Sequence, residues 1–288
     1  MVKVTDQPLW YKGEKWMLLT GLLGIVLALA CGIGVLLLGT DESPGSGMAK
    51  AVSFNVALGI FLLSTAAVSP FSGMGRKSIA FFRWSYIALA LFSYFAETVQ
   101  HVRGVNPRFV TDGSDLDQAI ADGFGIVAML LAVFYLFFAA AFFRKRAYQL
   151  QPSIVLSVRY AMFAVMLSFI GGICISLNGG RFIGVEGNLI WFHGLGFHAL
   201  QLLPMMAWLV VKSAVTARLQ RKLIHIGGTA FIGGLLAIGL QTLLERSILE
   251  WSLLPLTALA FFVVTMVSGV RAYLEVVRSR KNGRSLVG

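Results

Sequence analysis

Apolar residues gather into eight long runs, each closed by a short polar stretch. They lie at about 17–39, 51–69, 80–103, 122–143, 159–178, 190–211, 224–243 and 252–271. About 20 apolar residues are needed to cross roughly 30 Å of hydrocarbon, so every run is a predicted span. None alternates polar and apolar with a period of two, which excludes a membrane β-barrel. Backbone groups in lipid must bond within their own segment, so the spans are helices. The pattern predicts an all-α, polytopic transmembrane bundle over 17–271, with a leader at 1–16 and a basic tail at 272–288. The leader and the first run are both too long for a cleavable signal peptide, so the first span is read as retained.

Composition agrees with this reading. The chain is 57% hydrophobic and 13% charged, with mean hydropathy +0.80, against roughly 25% charged in soluble domains. Charge then orients the spans. Nineteen of the 24 lysines and arginines fall on the side that holds both termini, and ten of the thirteen acids fall on the other. By the positive-inside rule both termini are cytoplasmic and the protein sits in the cell membrane. The net charge of +11 therefore reports topology and a preference for anionic lipid headgroups at the inner face. Nucleic acid is not an expected partner, because zinc-finger spacing and basic–aromatic RNA motifs are absent. A membrane-protein partner is left open, with the inner loops and tail as its contact surface.

The connections are short. Those around 70–79, 144–158 and 212–223 are basic, and 41–50 is a Pro/Gly/Ser turn. The longest outer loop, 104–121, holds Ser114 three residues before Asp117, a capping-box spacing that starts the fourth span near Asp115. Its acids lack the order of a calcium loop and are read as capping and solvated groups. Cys31 and Cys174 both lie within spans and are read as packing residues. Ser168, Gly172 and Ser176, and Gly227, Gly228, Gly233 and Gly234, mark close helix contact.

Ionisable side chains inside spans are expensive and each needs a reason. On the third span Ser93, Glu97 and His101 recur every four residues, one stripe of a helix. Glu97 and His101 are the candidate catalytic or proton-carrying pair, with Gln100 beside them. The sixth span holds His193, His198, Gln201 and Pro204. The two histidines are five apart, about 140° around the helix, so they do not share a face; His198 and Gln201 do. Pro204 leaves the Leu200 carbonyl without its usual donor. Candidate metal ligands are His101, His198 and His193. Arg103, Arg108, Arg181, Gln201 and Gln241 join Gln100 as candidate substrate-binding groups, the arginines suited to carboxylate or phosphate. His225, at the inner end of the seventh span, is read as interfacial.

Glu97 and His101, near an outer helix end in an eight-span chain, are similar in kind to a feature of the haem A synthases. Those enzymes pair histidines across two four-helix halves. Here the outer histidines are confined to the third and sixth spans, so that assignment is not adopted. Three functions fit the residues: a membrane enzyme with a haem or transition-metal site open to the outer face, a proton-coupled small-molecule transporter, and a non-catalytic sensor or assembly component.

Overall fold

The computed structural model describes residues 14–39, 47–110, 113–281 and 283. Most of the leader, Thr40, most of the 41–50 turn, Thr111, Asp112, Asn282 and 284–288 lie outside the described residues. Among the described residues, eight helices are long and apolar enough to cross a membrane: α1 (Glu14–Leu38), α2 (Met48–Val68), α3 (Arg76–Val102), α4 (Asp115–Phe142), α6 (Pro152–Leu177), α7 (Leu189–Lys212), α8 (Ala217–Leu243) and α9 (Leu253–Lys281). The chain is a multi-pass, all-α membrane protein. A six-residue helix, α5 (Lys145–Leu150), lies in the basic connection before α6, and a two-stranded hairpin, β1 (Phe182–Ile183) with β2 (Gly187–Asn188), precedes α7.

Several helices outrun the apolar segments that announce them. α3 begins at Arg76, α6 at Pro152 and α8 at Ala217, while α9 runs on to Lys281. At α3, α8 and α9 the extension is the basic end of the helix, where long side chains reach water while the backbone stays helical, whereas the first turns of α6 bury Ile154, Val155, Ser157 and Val158.

The chain divides into two compact units. Among the described residues, one comprises everything up to Pro70 with Met74–Phe138; the other comprises Phe71–Gly73 with Ala139 onward. In the first unit α1 and α2 meet through two glycines. A Cβ on Gly21 would stand 2.9 Å from the Gly59 carbonyl oxygen, and one on Gly59 2.8 Å from that of Gly21. Such backbone approach is how helices associate in lipid, where no hydrophobic drive separates helix from solvent. Helices α2, α3 and α4 meet through rings instead. Phe82 stacks on Phe138 at 4.3 Å between centroids, and Phe61 and Tyr86 lie 4.7 and 5.7 Å from Tyr135.

The second unit repeats small-against-large packing. Gly228 of α8 lies beneath the Tyr160 ring, and Gly233 and Gly234 face Phe261 and Phe262 of α9. The Arg159 Nε–H donates to the Phe142 carbonyl at 2.8 Å, closing the end of α4. Cys31, buried, and Cys174, half-buried, are free thiols.

Candidate functional site

The first unit's site is built at the end of α3. The helix stops at Gly104, whose φ of +73° lets the chain reverse. Val105 N–H donates to the Gln100 carbonyl and Gly104 N–H to that of His101, a Schellman ending. The next residues turn tightly: Asn106 Oδ1 accepts from the N–H groups of Arg108 and Phe109 at 3.0 and 3.2 Å. That turn carries Arg108 back over α3.

Arg108 Nε–H donates to Glu97 Oε1 at 2.6 Å. The guanidinium stands over the rings of Phe54 on α2 and Phe124 on α4, 5.3 and 5.6 Å from their centroids. The carboxyl of Glu97 is fully buried. Its second oxygen, Oε2, faces His101 Nε2 at 3.2 Å, one turn along the same helix. His101 is buried as well, and its Nδ1 has no hydrogen-bond partner. One turn toward the helix middle, Asn55 Nδ2 donates to Thr98 Oγ1 at 3.0 Å. Asn55 Oδ1 and the hydroxyl of Tyr94 are buried without partners. Tyr94 reaches α1 where Gly24 leaves room: a Cβ there would collide with its Oη.

A second ion pair lies beside the first. Arg103 Nη1 donates to Asp117 Oδ1 and to Gln100 Oε1, both at 2.6 Å, and Gln100 Nε2 donates to Asp117 Oδ1 at 2.9 Å. The expected capping box is present, with Asp117 N–H donating to Ser114 Oγ at 3.3 Å and α4 starting at Asp115. Asp117 is nevertheless buried rather than solvated, because it also receives Gln100 and Arg103. Gln100, Arg103 and Arg108 thus pair with acids of the chain itself.

The other expected residues belong to the second unit. His193 turns toward α6, its Nδ1 2.7 Å from the Ser168 carbonyl oxygen, with its ring over Gly172. His198 is exposed, and its Nδ1 lies 3.1 Å from Gln201 Oε1. The two histidines point apart, as their spacing requires. Gln241 Nε2 donates to the Ser247 carbonyl at 2.9 Å and to Glu250 Oε2 at 3.2 Å, and Arg246 pairs with Glu250. Arg181 lies over the Phe182 ring at 5.0 Å. His225 is exposed and its Nδ1 lies 2.8 Å from Tyr160 Oη. Among the described residues, no three His, Cys, Asp or Glu side chains gather where they would hold a metal ion.

Three polar pairs meet inside the first unit away from the Glu97 stripe: Asn55 with Thr98, Thr65 with Tyr135, and Glu14 with Ser69. Asn55, an amide inside an apolar run, is the signal the sequence does carry. No family, curated protein or solved structure matches this chain.

Proposed function

We propose that the chain is a proton-translocating membrane protein of the proton-coupled transporter class, with the Glu97–His101 pair as its proton-binding site at the outer face. One observation carries the reading. A fully buried carboxylate holds a loop arginine with one oxygen and faces a histidine of its own helix with the other. Ionisable groups inside spans mark ion and proton pathways, and histidine is the side chain suited to gain and lose a proton under ordinary conditions.

A single proton serves the pair, because Oε2 and Nε2 stand close enough to share it. A proton between Oε2 and Nε2 withdraws negative charge from Oε1, and the hold on Arg108 weakens. Proton occupancy is thereby coupled to the position of the 103–110 loop, and the coupling is reciprocal: moving Arg108 away favours the proton. A proton suits this site better than a metal cation. Glu97 supplies one negative charge, and the Arg108 guanidinium already answers it, so a divalent ion would be placed beside a fixed positive charge.

The test uses vesicles of neutral phospholipid holding the purified protein, with a pH-sensitive dye trapped inside and a pH difference imposed. Wild-type protein is expected to speed proton entry over protein-free vesicles, and Glu97→Gln to abolish the gain. Equal flux in wild type and Glu97→Gln would overturn the reading.

A further inference from the structure

Glu97 is not the first unit's only buried carboxylate. Glu14, the first residue of α1, is 1% exposed, and its Oε1 accepts from Ser69 Oγ at 2.8 Å. It lies at the opposite end of the unit, because α1, α2 and α3 run alternately: Glu14 meets the end of α2, while Glu97 lies near the end of α3. Between the two, α2 and its C-cap residue Ser69 present buried polar groups along one face. Asn55, Thr65 and Ser69 fall within about 80° of arc and span roughly 21 Å of helix axis. Each is bonded to a different helix. Asn55 donates to Thr98 of α3, the Thr65 hydroxyl lies 3.2 Å from Tyr135 Oη of α4, and Ser69 donates to Glu14 of α1. The layer of Phe61, Phe82, Tyr86 and Phe138 divides the line in two, with the Thr65–Tyr135 pair at its edge.

We propose that this line is the proton path through the first unit and that Glu14 is its second terminus. The inference rests on the proton-binding role of Glu97 and adds the route and the exit. Asn55 Oδ1 and Tyr94 Oη are buried with no protein partner, and buried polar groups of this kind are met by water. They are the points at which water joins three separate hydrogen-bonded pairs into one path. Each transfer breaks one O–H or N–H bond as it makes another. One proton leaves the Glu97–His101 pair, one arrives at the carboxylate of Glu14, and that carboxyl gives it up to the water beyond. No group is otherwise altered, and the imposed proton gradient is the only driving force. The aromatic layer keeps the two polar halves apart and is the gate the proton must cross through the Tyr135 hydroxyl.

A structural role for Glu14, as an acid at a helix start, makes a different forecast, so the isosteric Glu14→Gln separates the two. Its side-chain carbonyl still accepts from Ser69, while the carboxyl that carries the proton is gone. In the vesicle assay Glu14→Gln is expected to lower proton flux about tenfold or more with an unchanged melting temperature. Tyr135→Phe keeps the ring contacts and removes the hydroxyl beside Thr65, and is expected to slow flux in the same way. Should Glu14→Gln not fold, Tyr135→Phe alone decides. Wild-type flux in the variant that folds, with Glu97→Gln inactive, would overturn the path and leave the Glu97 site standing. No flux from the wild-type protein would overturn both.

Discussion

Replacing Arg108 by alanine strands the carboxylate of Glu97. Removing one partner of a buried ion pair costs about 3–5 kcal/mol, most of it the penalty of the charge left behind. Arg108 is itself 37% exposed, so water screens part of the interaction, and the share of the pair is better set near 2 kcal/mol. The guanidinium also covers Phe54 and Phe124, which adds about 0.5–1 kcal/mol. Arg108→Ala should therefore cost roughly 3 kcal/mol, a fall of roughly 6–12 °C in melting temperature for a unit of this size. The assay is a double-mutant cycle by thermal unfolding in detergent, with Arg108→Ala, Glu97→Gln and the pair together. The expected coupling is about 2 kcal/mol, because Glu97→Gln leaves no charge to be stranded. Additive single effects, with coupling under about 0.5 kcal/mol, would refute the claim that Arg108 neutralises Glu97.

Three further outcomes follow from named contacts. Gly24→Ala drives a methyl into Tyr94 Oη and should cost about 1–3 kcal/mol by overpacking, read as a lower melting temperature; an unchanged value would mean that α1 and α3 do not meet there. Phe82→Ala removes a fully buried ring stacked on Phe138 and should cost about 3–5 kcal/mol, while Phe82→Leu should cost clearly less; equal losses would point away from packing. Asp117→Asn keeps the capping oxygen but removes the charge that Arg103 answers. It should loosen the 103–110 loop, seen as faster proteolysis there, with the rest of the chain protected; a wild-type cleavage pattern would show that the pair does not hold the loop.

The spans are legible in the sequence because each apolar run reaches the length a bilayer demands, and no soluble alternative accommodates eight of them. Their basic ends are not, since hydropathy falls at Arg76 or Ala217 while the backbone remains helical. The stripe of Glu97 and His101 can be read from spacing alone, because helical period places them one turn apart. Their partner cannot. Arg108 is eleven residues from Glu97, and only the reversal at Gly104 and the turn at Asn106 bring it back. Sequence reasoning reserves it for an anionic ligand, and the fold gives it a carboxylate of the same chain. Asp117 shows the same limit: its capping role follows from the distance to Ser114, but its burial follows from Gln100 and Arg103, which periodicity does not connect to it. Glu14 is subtler, a charged residue of the polar leader in sequence and a buried hydrogen-bond acceptor in the fold.

Proton uptake by the purified protein tests the Glu97–His101 pair most directly. An acid step is applied to detergent-solubilised wild type and the double variant Glu97→Gln with His101→Ala, and the protons bound are counted with an indicator dye. Wild type is expected to take up about one proton more than the double variant over the step, since the variant lacks both groups that share it. Equal uptake by the two proteins would contradict the assignment of Glu97 and His101 as the proton-binding site.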